Sequence, residues 1–278
     1  MTSRHEQHWL RTYAAETYRG IGAIVDLGCF FGATTISLAE GLLLNSRARQ
    51  KQIHAYDLFS WDEVYEAWAK GKEVVGLLTV GDSFLPEFLR RTQKWRDYIV
   101  VHEEDLRHAR WEWGPIEFLF IDAMKSRELA GAIATNFFPH LVASKSYVAH
   151  QDFAHFYTPW IHLLTFRLRD YFSIVADVPR SGTTVFRCEK ELLRKDLEMD
   201  LSLSACSADE LEAAFDYSMS LVADEKKANI IAAKAMAYCE RGDIARAREI
   251  VTQTQYGPDS LAGELERVKG LVAPKPGR

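Results

Sequence analysis

The sequence predicts an α/β fold, in which a parallel sheet lies between helices and a helical segment follows at the C-terminus. Three observations support this prediction. Residues 23–36 read as a strand, a tight turn and a helix, several later apolar runs end in an acidic residue, and residues beyond 203 have a helical, Ala- and Glu-rich pattern. Strands of a parallel sheet read as apolar runs because both of their faces are buried.

The length and composition fit a large core with an appendage. The chain has 278 residues, 47% of them hydrophobic, which is more than one minimal domain needs. We predict an α/β domain over residues 1–200 and a helical appendage over residues 203–270, which resembles a single tetratricopeptide-type helix pair. We expect the appendage to serve dimerisation or to pack on the core, and we expect a homodimer.

The first strand ends in an acid and is followed by a turn that contains two glycines. Residues 6–18 predict a leading helix, and the strand that follows reaches Asp26 before the chain turns through Gly28 and Gly32. Glycine suits such a turn because the backbone bends sharply and approaches a ligand closely. The spacing departs from G-x-G-x-x-G, since Phe30 stands where a middle glycine is expected. The turn therefore favours a nucleoside pocket over a pyrophosphate cradle, with a turn that binds no ligand as the alternative.

Acidic residues lie at or just after the C-terminal end of each later apolar run. The runs are residues 52–58, 98–102, 115–122 and 145–152, and the acids at or just after their ends are Asp57, Glu104, Asp105, Asp122 and Asp152. The carboxyl ends of parallel strands share one sheet edge, where open α/β folds bind ligands. An acid at the end of strand two is placed to accept hydrogen bonds from ribose hydroxyls.

Two further segments complete the predicted domain. Residues 60–80 predict a helical segment over the mouth of the site, whose aromatic residues either close on substrate or pack on the sheet. Residues 172–178 and 183–187 flank a turn and predict an antiparallel hairpin. The aromatic residues expected around the mouth are Trp61, Trp68, Phe153, Phe156, Tyr157 and Trp160.

The chain resembles the class I S-adenosylmethionine-dependent methyltransferases, most closely the group of macrocin O-methyltransferase and the cephalosporin-pathway methyltransferases. The resemblance covers residues 21–188 and includes the spacing acid-x-Gly-x-x-x-Gly at Asp26, Gly28 and Gly32. It implies a Rossmann-like seven-stranded sheet completed by an antiparallel hairpin, with S-adenosylmethionine over the strand-one turn. The cofactor-binding residues it implies are Asp26, Gly28, Cys29, Phe30, Gly32, Asp57, Leu58, Glu104, Asp105 and Asp122.

The ends of strands four and five predict a metal site. The resemblance makes strands four and five neighbours, and neighbouring strands lie about 4.8 Å apart, so Asp122 and Asp152 are expected to share one divalent cation, with Gln151 as a weak neutral ligand. Magnesium suits such a site because it takes few carboxylates and keeps waters that a substrate can displace. The metal would lower the pKa of the substrate hydroxyl and orient its oxygen.

Two residues are candidates for the catalytic base. The run Asp122-Ala123-Met124-Lys125 resembles the metal-dependent catechol and caffeoyl-type O-methyltransferases, which implies that Lys125 deprotonates the substrate, with a pKa depressed by burial beside the metal. The alternative is a solvent-facing lysine. His150 is the second candidate, because imidazole titrates near neutral pH; it is otherwise a ligand or a structural histidine.

Composition excludes several other classes. The net charge of −5 and the pI near 6.0 do not indicate a nucleic-acid binder. The four cysteines are scattered without zinc spacing, and there is neither an apolar leader nor an apolar run long enough to span a bilayer. We expect a cytoplasmic protein with no membrane or nucleic-acid partner.

The sequence thus predicts an O-methyltransferase that uses S-adenosylmethionine, with magnesium, on a small hydroxylated acceptor such as a sugar, a phenolic or another natural product. One alternative is a catalytically inactive methyltransferase-fold protein that acts as a binding or interaction subunit, since fold does not imply function. Another is an NAD-type oxidoreductase, which Phe30 and the hairpin disfavour.

Overall fold

The computed structural model describes residues 2–48, 52–70, 74, 76–257 and 261–274. Within them lie seven β-strands and eleven α-helices. The strands are β1 (Ala23–Leu27), β2 (Ile53–Asp57), β3 (Ile99–Glu103), β4 (Ile116–Ile121), β5 (Tyr147–His150), β6 (Phe172–Asp177) and β7 (Thr184–Cys188). The helices are α1 (Arg4–Thr12), α2 (Ala33–Leu44), α3 (Glu63–Ala69), α4 (Leu85–Thr92), α5 (Arg127–Phe137), α6 (Trp160–Arg167), α7 (Arg194–Leu197), α8 (Ala208–Ser220), α9 (Asp224–Glu240), α10 (Ile244–Gln253) and α11 (Gly263–Val272).

The strands form one sheet in the order β3-β2-β1-β4-β5-β7-β6. Strands β1 to β5 pair in parallel, whereas β7 runs antiparallel to both β5 and β6. This arrangement confirms the predicted seven-stranded sheet and its terminal hairpin. The chain order reverses between β1 and β4, and such a switch point leaves a crevice at the carboxyl edge of an open sheet.

Burial follows from these positions in the sheet. Every residue of the central strand β4 is buried; its apolar residues predict this, and the buried Glu117 is satisfied by the backbone N–H groups of Arg19 and Ile21. The leading helix α1 begins with a capping box between Ser3 and Glu6 and continues as a π-helical turn, Tyr13–Thr17. Tyr13 packs on Phe118 of β4, with ring centroids 4.3 Å apart, so this segment covers one face of the sheet.

The C-terminal helices pack against the sheet domain. Helix α8 begins at the Ser207 cap, and its Phe215 lies with its ring centroid 4.7 Å from that of His162 on α6. The buried ammonium of Lys226 on α9 pairs with Asp177 of β6 and donates to the carbonyl of Thr183 at 2.8 Å. These contacts join the helices to the hairpin side of the sheet. The predicted domain boundaries and the homodimer stay predictions.

No helix within the described part of the chain is both long and apolar enough to cross a membrane.

Candidate functional site

The turn after β1 brings the chain close to the end of β4. Gly28 has a φ of 83°, and a Cβ there would lie 2.7 Å from the carbonyl oxygen of Asp122. Gly32 caps α2 at a φ of 88°. Glycine is favoured at both positions because other residues rarely adopt this left-handed backbone. Phe30, between them, adopts a φ of 47° despite its side chain.

Asp26 is fully buried beneath this turn. Its Oδ2 accepts hydrogen bonds from the hydroxyls of Thr34 and Thr35, at 2.7 and 2.6 Å. Its Oδ1 is buried and has no hydrogen-bond partner among the described residues. Burial raises the pKa of Asp26 to about 6, although the two threonine hydrogen bonds oppose the change.

Asp57, at the end of β2, holds the same turn. Its Oδ2 accepts from the backbone N–H of Phe30 at 2.9 Å, and its Oδ1 accepts from that of Phe59 at 3.0 Å. Burial raises the pKa of this carboxyl. The next residue, Leu58, leaves 55% of its surface exposed and is open to a ligand.

The two acids after β3 differ in their contacts. The backbone N–H of Glu104 donates to the carbonyl of Asp57 at 3.1 Å, and its carboxylate lies 3.7 Å from Nδ1 of His102. Asp105 forms a two-oxygen ion pair with Arg107, whose Nε donates at 3.0 and 2.9 Å. This pairing lowers the pKa of Asp105 to about 2, so its carboxylate is charged but already has a partner.

Aromatic rings cover the strand-one turn. Helix α3, capped by Asp62, presents Tyr65, whose ring stacks on that of Phe30 at 5.1 Å. Trp61 is buried, stacks on Tyr65 at 5.4 Å and donates its indole N–H to Glu66 at 2.8 Å. The predicted helical segment over the mouth is therefore present at α3. The side chain of Trp68, also predicted there, lies outside the described residues.

The ends of β4 and β5 bring together two carboxylates, an ammonium and a phenol. Lys125 Nζ donates to Asp122 Oδ1 at 2.5 Å and also contacts Asp152 Oδ2. The Tyr157 hydroxyl donates to Asp152 Oδ1 at 3.2 Å and lies 3.3 Å from Lys125 Nζ. The amide of Gln151 faces the same two acids, and assigning its nitrogen to that side lets it donate to Asp152 Oδ1 and Asp122 Oδ1, at 2.8 and 3.1 Å. We call these five residues the lysine cluster.

The charged groups of the lysine cluster change one another's pKa values. Burial, together with the charge of Asp152, raises the pKa of Asp122 to about 7, although the ammonium of Lys125 opposes that change. Partial burial disfavours the charged form of Lys125, whose side chain is 40% exposed, but Asp122 and Asp152 outweigh it and raise the lysine pKa well above its usual range. This direction is opposite to the depressed lysine pKa expected from the sequence. Near neutral pH, Asp122 is therefore the group of this pair that can accept a proton.

His150, at the end of β5, takes no part in the hydrogen bonds of the lysine cluster described above. It is buried inside the sheet domain, where its ring meets the edge of Phe186 at 5.9 Å and borders a small cavity. The other residues lining this cavity are Phe138, Leu164, Thr165, Leu168 and Phe172. Burial lowers the pKa of His150 to about 4, and its Nδ1 has no partner in the described part of the chain. A pKa this low makes the buried imidazole a poor proton acceptor near neutral pH, so we assign it no proton transfer.

Two residues of this region were not predicted as site residues. Tyr157 was expected only among the aromatic residues of the mouth, although it follows Asp152 by five positions. Glu264, at the start of α11, reaches back to the same loop and lies 3.4 Å from His155 Nε2. No sequence signal indicated Glu264, because a contact between residues this far apart along the chain depends on the folded arrangement.

The sheet order and the turn decide the fold. A seven-stranded sheet in the order 3-2-1-4-5-7-6, with β7 alone antiparallel and a glycine turn after β1, is the class I methyltransferase arrangement. The chain has the class I methyltransferase fold.

Comparison with known proteins adds resemblances of fold but no family assignment. No protein-family model and no curated protein sequence matches the chain. Among solved structures, the O-methyltransferase NovP is 13% identical with a TM-score of 0.49, over 67% of this chain and 80% of that one. CalS11, a TDP-rhamnose 3'-O-methyltransferase of calicheamicin biosynthesis, is 16% identical with a TM-score of 0.46, over 67% and 81%. The pyocyanin biosynthetic protein PhzM is 10% identical with a TM-score of 0.42, over 66% and 55%. Likenesses this distant carry no argument about function.

The residues around the strand-one turn fit S-adenosylmethionine. The unpartnered, buried Oδ1 of Asp26 needs a donor, and the ammonium of an amino-acid moiety is one. Asp57 would face the ribose from the end of β2, and Leu58 offers an exposed apolar surface for the base.

The lysine cluster, as it stands, does not fit a divalent cation. Both carboxylates already contact the Lys125 ammonium, and Gln151 offers them N–H donors rather than offering a metal its carbonyl oxygen. Within the described ranges, no three His, Cys, Asp or Glu side chains come together in a metal-binding arrangement. The magnesium site at Asp122, Gln151 and Asp152 stays a prediction from sequence.

Proposed function

We propose that this protein is an S-adenosylmethionine-dependent methyltransferase that methylates a hydroxyl of a small molecule, such as a sugar or another natural product. The lysine cluster carries the proposal, since it gathers a proton acceptor and a fixed positive charge beside the strand-one turn. The class I methyltransferase fold supports the choice of cofactor, because its switch point lies between β1 and β4.

The cofactor half of the site consists of the strand-one turn and the end of β2. Bound S-adenosylmethionine supplies a methyl group on a positively charged sulfur. Asp26 would accept a hydrogen bond from its ammonium, and Asp57 from its ribose, while Phe30 and Tyr65 exclude water from above the turn. Excluding water strengthens the electrostatic interactions inside the site.

The acceptor half is the lysine cluster. Asp122 would take the proton of the acceptor hydroxyl when bound S-adenosylmethionine gives its methyl group to that oxygen. Its pKa of about 7 suits a base that must release its proton again near neutral pH. Lys125 keeps its proton and stabilises the negative charge that develops on the acceptor oxygen. Tyr157 orients Asp152 through its hydroxyl.

The first experiment is calorimetric titration of the full chain with S-adenosylhomocysteine. We expect micromolar binding to the wild type and at least tenfold weaker binding to Asp57→Ala. A protein that binds can then be screened against sugars and phenols with methyl-labelled S-adenosylmethionine. Absence of binding to the folded wild type would contradict the proposal and favour the inactive binding-subunit alternative.

A further inference from the structure

Two carboxylates follow adjacent parallel strands of the sheet. Ile121 of β4 pairs with His150 of β5, and this register brings the residues just beyond the strands, Asp122 and Asp152, to the same edge. Asp152 is buried and Asp122 is partly buried, so water screens their mutual repulsion poorly. Such a pair needs a positive charge between its members.

The chain itself supplies that charge. Lys125 Nζ lies within hydrogen-bond distance of both carboxylates and 3.3 Å from the Tyr157 hydroxyl. Three oxygens from two separate loops thus converge on one ammonium, as they would on a bound cation.

The loop that carries Lys125 is held on both sides. The backbone N–H of Lys125 donates to the carbonyl of Ala123 at 2.8 Å, which closes a tight turn. Its neighbour Met124 is 1% exposed, and the carbonyl of Met124 accepts from the indole of Trp160 at 2.9 Å. Anchoring on a buried methionine and a tryptophan fixes the point from which the lysine side chain extends.

We propose that the Lys125 ammonium takes the place of a divalent cation at this site and that the protein needs no metal. The chemical role of this ammonium rests on the proposed function, whereas its competition with a metal does not. A divalent cation would have to displace the ammonium while remaining near its charge, and the like-charge repulsion opposes this. Gln151 adds a further obstacle, because its amide N–H groups, in the orientation that satisfies both acids, meet Asp122 Oδ1, which Lys125 also contacts, and Asp152 Oδ1.

Manganese binding tests the proposal without an acceptor. Mn²⁺ is titrated into the full chain, and its electron paramagnetic resonance signal gives the number of bound ions and their affinity. We expect the wild type to show no saturable site below roughly 1 mM, the weak end of carboxylate sites. Lys125→Met frees both carboxylates, and we expect one site per chain with an affinity at least about tenfold higher. Lys125→Met combined with Asp152→Asn should lose that site.

Matched variants make the outcome specific. Lys145→Met removes an exposed lysine elsewhere on the domain and should bind Mn²⁺ as weakly as the wild type does. Lys125→Gln provides the same test if the methionine variant does not fold, as judged by circular dichroism. Saturable wild-type binding at micromolar Mn²⁺, lost in Asp122→Asn, would overturn the proposal. Equally weak binding by the wild type and by the folded Lys125 variant would overturn it as well.

The proposed function is tested separately by S-adenosylhomocysteine binding in the presence of a chelator. Binding that fails there, together with the expected manganese result, would refute the methyltransferase assignment and leave the lysine-for-metal inference intact. Binding of S-adenosylhomocysteine, together with saturable Mn²⁺ binding by the wild type, would support the methyltransferase assignment and overturn the lysine-for-metal inference.

Discussion

The carboxylate of Asp57 accepts a hydrogen bond from the backbone N–H of Phe30, at 2.9 Å, and so joins the end of β2 to the turn after β1. The residue expected to hold the cofactor ribose therefore also holds the turn over which the cofactor would lie. Its second oxygen fixes Phe59 in the same way. Cofactor affinity and turn stability are consequently linked through one side chain.

We expect Asp57→Ala to affect both properties. Two backbone N–H groups lose their acceptor, which should lower the free energy of unfolding by about 1–3 kcal/mol. Affinity for S-adenosylhomocysteine should fall at least tenfold. Chemical denaturation and calorimetry measure the two effects, and Glu87→Ala, which removes an acid on α4, should leave the affinity unchanged. Full affinity in Asp57→Ala would refute the assigned cofactor role.

The buried Asp26 should make stability depend on pH. Its pKa of about 6 in the folded protein lies above the ordinary value, so the folded state binds the proton more tightly than the unfolded state. This stabilisation is complete below about pH 4 and is lost as the pH rises through about 6. Relative to Asp26→Asn, the wild type should lose up to about 3 kcal/mol over that range.

Denaturation of both proteins from about pH 4 to about pH 7 measures this difference. Asp209→Asn, an exposed acid on α8, should reproduce the wild-type pH dependence. Parallel curves for the wild type and Asp26→Asn would show that the Asp26 pKa is not raised.

The Asp122 carboxyl should titrate near neutral pH. Carbon-detected NMR of the side-chain carboxyl should place its midpoint at about 7, and Asp122→Asn identifies the signal by removing it. Because the charged form is the base, methyl transfer should rise with pH through the same midpoint and then level off. In Lys125→Met the midpoint should move upward, since the ammonium favours the charged carboxylate. A midpoint near 4 would instead leave Asp122 an ordinary charged acid.

Helix α11 should hold the loop that carries Asp152 and Tyr157. Glu264 of this helix lies 3.4 Å from His155 Nε2, and the guanidinium of Arg267 lies over the Phe156 ring at 5.0 Å. We expect Glu264→Ala to accelerate hydrogen exchange of the amides in residues 152–158, as measured by mass spectrometry. Glu266→Ala removes an acid two positions along the same helix, paired with Lys269, and should not change exchange there. Equal exchange in both variants would contradict this role for α11.

The sheet domain was predictable because its signals are local. The turn after β1 and the hairpin of β6 and β7 each lie within a short stretch of sequence. The meeting of Asp122 with Asp152 was also expected, because parallel strands end at a common edge and the resemblance makes strands four and five neighbours.

The positions of the two candidate bases, His150 and Lys125, were harder to predict. Strand alternation puts His150 on the same face of β5 as the buried Val148, and that face became core once α6 covered it. Whether His150 would face the site depended on which side of the sheet the later helices packed. Likewise, the sequence placed Lys125 near Asp122 without showing that one ammonium would contact both carboxylates.

By itself, the sequence determined the strands, the acids that follow them and the glycine turn, because strand periodicity and turn chemistry are properties of neighbouring residues. The seven-stranded sheet was expected only from the resemblance to the class I methyltransferases, and the structure supplied the order of its strands. Only the tertiary structure decided that Lys125 lies between Asp122 and Asp152, that His150 is buried, and that Glu264 reaches the site loop. The physical reason is that charge pairing and burial depend on distances across the fold, which residues far apart in the chain acquire only when the sheet and helices pack together.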